Sequence, residues 1–283
     1  EPYADPCLAA AVSNAGGLGV LGMSARSPEY IRNSIPEVKE LTDKPFGVDV
    51  TIPKVTPQQY SEEEIWAQIP EGHKKFYEYL NQHYNIPKPQ WDWKKTCPPY
   101  TQQLFREQIQ AIFEAKVKVL ACGLGYPLPE EIEQAHSQGT VVAALSGNVK
   151  NARRATEAGV DIVVAQGTDA GGHCGRISGL SLLPQVVDAA AKINPKAMVV
   201  YAGGIADGRQ LAAVLLMGAL GVWIGTRFLA CTDAMTIQDW WKKAILNAND
   251  EGTYYSRKGD GMSYRVLKPC PIDTEWDEAP MHK

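Results

Sequence analysis

Seven short apolar runs rich in β-branched residues punctuate the chain, at 17–23 (GLGVLGM), 46–53 (FGVDVTIP), 117–123 (VKVLACG), 140–145 (TVVAAL), 161–166 (DIVVAQ), 197–202 (AMVVYA) and 221–225 (GVWIG). Glycine or proline bounds them, and they lack the strict polar–apolar alternation of a half-exposed strand. Burial on both faces is therefore expected, as in a parallel sheet covered by helices. Between the runs lie helical patterns with recognisable ends: 6–15 before Gly16, 127–137 before Gly139, 148–158 before Gly159 and 207–217 before Gly218. Glycine just past a helix is the usual stop signal. Seven strand–helix units in series predict an α/β chain, a TIM (β/α)8 barrel ahead of a doubly wound open sheet. The first helical pattern has no strand before it, so the expected barrel lacks its first strand, which would lie upstream of Glu1. That leaves a seam with unpaired backbone edges unless something fills it.

The rhythm breaks at 54–107, which holds Trp66, Trp91, Trp93 and the proline-rich pieces 86–89 and 97–99. This reads as an insertion after the third barrel strand. At strand C-terminal ends it would form either a lid over a pocket or an aromatic layer packed onto the barrel. The polar tail 254–283, with Pro269, Pro271 and Pro280, reads as an irregular wrap, and 1–283 as one domain. The run Glu62-Glu63-Glu64 reads as a solvated helix face.

Charge narrows the partners. Lys plus Arg number 28 against 32 Asp plus Glu, a net charge of -4, so no basic footprint for nucleic acid or anionic lipid exists. No stretch approaches the roughly 18 apolar residues of a membrane span. The six cysteines, Cys7, Cys97, Cys122, Cys174, Cys231 and Cys270, form no CxxC pair and no cluster with histidine. Neither a zinc site nor a disulfide framework is expected, and the default compartment is reducing and cytoplasmic. Glu1-Pro2-Tyr3 opens the chain without initiator Met, basic segment or apolar leader. No targeting peptide is expected, and the start reads as a processed or artificial edge.

The richest chemistry sits after the fifth run, in Gln166-Gly167-Thr168-Asp169-Ala170-Gly171-Gly172-His173-Cys174-Gly175. Four glycines allow backbone to approach a ligand, and histidine is the residue type suited to acid–base chemistry at neutral pH. The alternative is a flexible turn with a surface histidine. The next two strands end in Gly203-Gly204 and Gly225-Thr226-Arg227, the places where barrels often bind phosphate. Asp207 is better read as a helix N-cap than as a ligand. Arg227 would neutralise a phosphate or pair with a structural carboxylate. Gly16-Gly17-Leu18-Gly19 is no dinucleotide loop, since a helix precedes it and a strand follows. Cys174 reads as a small filler rather than a redox group.

Asn14-Ala15-Gly16-Gly17-Leu18-Gly19, Lys44-Pro45-Phe46-Gly47-Val48-Asp49, Ala165-Gln166-Gly167 with Ala170-Gly171-Gly172-His173, Ala202-Gly203-Gly204-Ile205 and Gly225-Thr226-Arg227-Phe228 stand in the order of the nitronate monooxygenase family, formerly called 2-nitropropane dioxygenase. The chain resembles that family from about Asp5 to Phe228. The resemblance implies an FMN-dependent barrel that oxidises alkyl nitronates, or nitroalkanes, with dioxygen to a carbonyl compound and nitrite. It further implies His173 as catalytic base, Gln166, Gly171 and Gly172 against FMN, and Gly203, Gly204, Gly225 and Thr226 around its phosphate. Asp49 and Trp223 stand where members vary, Asn or Asp at the first and Gln or Trp at the second, and would approach the flavin. The family's first strand usually ends in an Ala-Pro-Met segment that lines the flavin, and this sequence lacks it. Competing readings are an NAD(P)H-dependent flavin reductase acting on quinones or enoyl-acyl carrier protein, and a degenerate non-catalytic barrel.

Overall fold

The computed structural model describes residues 5–53, 62–85, 101–258, 261–269, 274–276 and 279. A seven-stranded parallel sheet runs β1 (Gly19–Gly22), β2 (Phe46–Thr51), β3 (Val119–Gly123), β4 (Val141–Ser146), β5 (Ile162–Gln166), β7 (Met198–Ala202) and β8 (Gly221–Trp223). Each strand pairs with the next parallel strand in sequence, so the order never reverses. A doubly wound sheet needs such a reversal at its switch point, and its absence selects the barrel.

Alternation along the strands assigns the two faces. Leu21, Val48, Val50, Leu120 and Val142 point outward into a core with Ile31, Ile35 and Val38 of helix Pro28–Leu41 and Ile109 and Ile112 of helix Gln102–Glu114. Val163, Ala165, Val199 and Tyr201 do the same against Leu182, Leu183 and Val186 of helix Gly179–Ile193. Each buried Leu, Ile or Val contributes about 1.5–3 kcal/mol. The opposite face carries Val119, Ala121 and Ala143, with Val20, Val141, Ile162 and Trp223 packed against them. Trp223 on β8 thus meets residues of β3 and β4, although even β4 would lie three strand spacings, about 14 Å, away in a flat sheet. The sheet is curled, and this second face is the barrel interior.

Within the described residues β1 and β8 do not pair with each other, so the expected seam is present. What spans it is side-chain packing. Leu8 of the first helix, Pro6–Asn14, joins Ala234 and Ile237 from the segment beyond β8, with Phe228, Leu229 and Trp241 alongside. Asp5 fastens the same junction: its Oδ1 accepts from Leu8 N at 2.9 Å, capping the helix, while Oδ2 accepts from Thr236 N at 2.9 Å and Thr236 Oγ1 at 3.1 Å. Gly19 is required beside it, because a Cβ there would fall 1.8 Å from the carbonyl oxygen of Ala9.

Three expectations need correction. In its described residues the tail is not an irregular wrap up to Leu267: Thr253–Ser256 (β9) and Tyr264–Leu267 (β10) pair antiparallel, and β10 pairs in turn with the two-residue β6 (Gly172–His173). Its prolines all lie beyond Leu267, which leaves the β-prone TYYS and YRVL runs free to pair. The insertion ends earlier than Glu107, because helix Gln102–Glu114 begins with Thr101 as N-cap and buries Leu104 and Phe105. The seventh run forms a strand only over Gly221–Trp223, leaving Ile224 and Gly225 to the loop. Of the insertion's aromatics, Trp91 and Trp93 lie outside the described residues. The described helix Glu71–Tyr84 packs on the tail: Phe76 meets Trp276 edge-on with ring centroids 4.9 Å apart, and Tyr79 and Tyr84 both donate to Glu275. None of the described helices is long and apolar enough to cross a membrane.

Candidate active site

The C-terminal ends of β5, β7 and β8 bring most of the expected residues together. Gln166 aligns with Ala202, and Ala202 with Trp223, so the loops that leave these strands start side by side. Their glycines let the loops interlock. A Cβ on Gly171 would fall 2.5 Å from Thr226 Oγ1, and one on Gly203 would fall 2.9 Å from Ala170 N. Gly203 and Gly204 also adopt φ of +128° and +65°, the left-handed region that side chains resist. A Cβ at Gly172 or Gly225 meets nothing within 4 Å, so on that side the cradle is open. Gly171, Gly172, His173, Gly204, Gly225 and Thr226 are all exposed around this mouth. A shallow concavity lined by Asn247, Asn249 and Lys268 lies beside the tail, not at these strand ends.

The loop carrying His173 is held at both flanks. Gly167 N donates to Ala202 O, and Thr168 N to Ile177 O at 3.0 Å. Asp169 Oδ2 accepts from Gly179 N at 3.1 Å and from Tyr201 Oη at 3.4 Å, so Asp169 caps helix Gly179–Ile193 from outside the helix. Desolvation, then the neighbouring Asp169 carboxylate, pushes the Tyr201 phenol up to about 12, so it stays a hydrogen-bond donor. On the far flank Gln166 Nε2 donates to His173 O at 3.1 Å, and Cys174 N donates to Ser263 O at 3.0 Å. Burial raises the Cys174 thiol further than the Arg265 charge lowers it, which keeps it protonated and fits the filler reading.

Asp207 is a helix N-cap. Its carboxylate accepts from Arg209 N while Gln210 Oε1 accepts from Asp207 N, a capping box that uses the side chain at the helix start. Hydrogen bonds from the Arg209 side chain and backbone hold the carboxyl down at about 2.

Asp49 and Trp223 face inward rather than joining the loop cluster. Trp223 is half-buried in the barrel interior. Asp49 lies between the outward-facing Val48 and Val50 on β2, so its side chain projects inward. Its Oδ1 is enclosed and has no hydrogen-bond partner, and burial alone raises the carboxyl to about 7. Leaving such a group unsatisfied costs about 1–3 kcal/mol, which a ligand in the interior would recover. No group of three or more potential metal ligands occurs among the described residues.

Sequence reasoning missed Ser263, Tyr264 and Arg265 as neighbours of the histidine loop. The signal was present: two β-prone runs flank Lys258-Gly259-Asp260-Gly261, a turn composition that marks hairpins.

Comparison with known proteins places these features in a lineage. A Mycobacterium tuberculosis protein named as a candidate monooxygenase, Rv1533, is 39% identical over 279 residues, covering 95% of this chain and 72% of the relative. The nitronate monooxygenase of Paraburkholderia phytofirmans is 32% identical over 271 residues, covering 93% of this chain and 70% of that protein. The solved nitroalkane oxidase of Streptomyces ansochromogenes superposes with a TM-score of 0.79 at 28% identity, covering 99% of this chain and 79% of the other. The profile of the nitronate monooxygenase family matches residues 3–275, and with the Ala-Gly-Gly-His loop, the glycine cradle and the curled parallel sheet in one chain, the protein belongs to the nitronate monooxygenase family of oxidoreductases.

Proposed function

We propose that the chain binds FMN at the β5–β7–β8 mouth and oxidises alkyl nitronates, or the parent nitroalkanes, with dioxygen to a carbonyl compound and nitrite. The observation that carries this reading is the interlock of the His173 loop with Gly203, Gly204 and Thr226 at the ends of three adjacent strands. The residues fit the cofactor in two respects. The open side of the glycine cradle suits a phosphate approached by backbone N–H groups, with Gly203, Gly204, Gly225 and Thr226 as its holders. The unpartnered Oδ1 of Asp49 and the half-buried ring of Trp223 would suit a flat, polar-edged ring, which Gln166, Gly171 and Gly172 would help to hold.

When bound, FMN would supply the electron acceptor for the substrate and the donor to dioxygen. The protein's residues handle protons and position. His173, exposed at the mouth, accepts the α C–H proton of a neutral nitroalkane on an imidazole nitrogen. A nitronate arrives already deprotonated, and there a protonated His173 pairs with the anion and orients it. Asp49 in its neutral form donates a hydrogen bond from the interior.

The test is to purify the chain, add FMN, and mix it anaerobically with propionate-3-nitronate. Loss of oxidised-flavin absorbance with no nicotinamide present supports the reading. Bound flavin that stays oxidised until NAD(P)H is added overturns it in favour of a reductase, and failure to bind flavin overturns it in favour of a degenerate barrel.

A further inference from the structure

The loop that presents His173 is held at its flanks, but its tip is built from residues that stiffen it little. Residues 171–173 include two glycines, Gly172 at φ +73°, and all three residues are exposed. Glycine loses more freedom on ordering than any other residue, so such a loop on its own would sample many imidazole positions. Beyond the bond from Gln166 to the His173 carbonyl, the contacts at the tip come from about ninety residues further along the chain. In the antiparallel ladder Tyr264 stands opposite His173 and Arg265 opposite Gly172. Arg265 Nε reaches past β6 to donate to Thr168 O at 2.8 Å, and its Nη1 donates to Thr253 Oγ1 at 3.1 Å on β9. One guanidinium therefore joins the start of the loop to the outer strand of the hairpin. The Tyr264 ring sits edge-on to the imidazole, centroids 6.3 Å apart at 71°.

We propose that Tyr264 and Arg265 are positioning residues for His173: the tail hairpin completes a three-stranded sheet on β6 and fixes the direction from which the imidazole meets substrate. The proposal rests on the reading of His173 as the proton-handling group. Arg265 acts through Thr168 and the backbone of the loop, since its planar fork donates to two acceptors in different segments at once, which a lysine ammonium on a flexible stem does not reproduce. Tyr264 acts through its ring, which limits imidazole rotation on the side of the hairpin. Displacing a catalytic group by about 1 Å costs on the order of 100-fold in rate.

The test compares Arg265→Met, Arg265→Lys, Tyr264→Phe and Tyr264→Ala with the wild-type holoenzyme, reading amide hydrogen exchange along the chain and steady-state kinetics. Arg265→Met and Tyr264→Ala are expected to raise exchange in 167–175 at least about 10-fold, leave the barrel strands unchanged, and lower kcat on a neutral nitroalkane about 10- to 100-fold with little change in KM. Preformed nitronate, which needs no proton abstraction, should lose less. Tyr264→Phe keeps the ring and should behave as wild type, while Arg265→Lys should fall with Arg265→Met. Unchanged exchange in 167–175 overturns the proposal. So does raised exchange with unchanged kcat on the nitroalkane, which would make the hairpin structural only. A wild-type protein with no turnover refutes the functional reading instead, and loop exchange then decides alone whether the hairpin holds His173. Loss of exchange protection in the barrel strands of Arg265→Met marks a folding defect, and Tyr264→Ala against Tyr264→Phe then carries the decision.

Discussion

The carboxyl of Asp49 makes the stability of this barrel depend on pH in a direction opposite to that of a salt-bridged acid. Its value in the folded chain is about 7 against 3.8 for the free side chain, and the cause is burial without a compensating partner. Between those values the folded state holds a proton that the unfolded state has released. Stability is therefore full below about pH 4 and is lost as pH rises toward 7, by about 1.4 kcal/mol per pH unit. A shift of about three units amounts to roughly 4 kcal/mol, an upper figure because the residue keeps partial access to solvent. Asp49→Asn removes the titration while keeping shape. The wild-type chain, measured without flavin by urea unfolding, should lose about 2–3 kcal/mol more than Asp49→Asn between pH 5 and pH 8. Every other carboxylate is common to both proteins and cancels in the difference. Two parallel stability curves over that range would show that Asp49 already finds a partner when folded and would refute its role as an unpartnered interior carboxyl.

Replacing His173 with Ala should cut turnover of a neutral nitroalkane about 10²- to 10⁴-fold and that of preformed nitronate far less; equal losses on both substrates would deny it the role of base. Gly203→Ala puts a Cβ 2.9 Å from Ala170 N at a φ of +128°, so FMN affinity measured by fluorescence quenching should fall at least about 10-fold, with about 1–3 kcal/mol of stability lost. Gly19→Ala collides with the Ala9 carbonyl and should cost about 3 kcal/mol or more by urea unfolding, since backbone on both sides must move. Asp5→Ala removes a helix cap and the link to Thr236 together and should cost about 2 kcal/mol by the same measurement.

How much of this was legible in the sequence depends on the range of the interaction involved. The strand runs and glycine stops are local signals, and they found the seven parallel strands, the barrel winding and the N-cap at Asp207. The proximity of Gln166, Gly171, Gly203 and Thr226 was also legible, because in a sequential barrel consecutive strand ends are neighbours. What stayed hidden depends on contacts between distant segments. Nothing local in the sequence marks Asp5, which is buried between the first helix and Thr236. The tail looked irregular because it is polar and carries Pro269, Pro271 and Pro280, although all three follow both strands.

The His173 loop shows why the hidden contacts matter to function. Glycine at 171 is needed for close approach to Thr226 and glycine at 172 for a backbone φ of +73°, and those same choices remove the local stiffness a proton-transferring side chain needs. Local sequence cannot satisfy both demands, since any β-branched or bulky residue that stiffened the loop would also block the cradle. Strand pairing with Tyr264 and Arg265 resolves the conflict from outside, because backbone hydrogen bonds order the loop without filling it. A loop that must be both glycine-rich and rigid therefore depends on a remote segment, and in this chain the remote segment is β10.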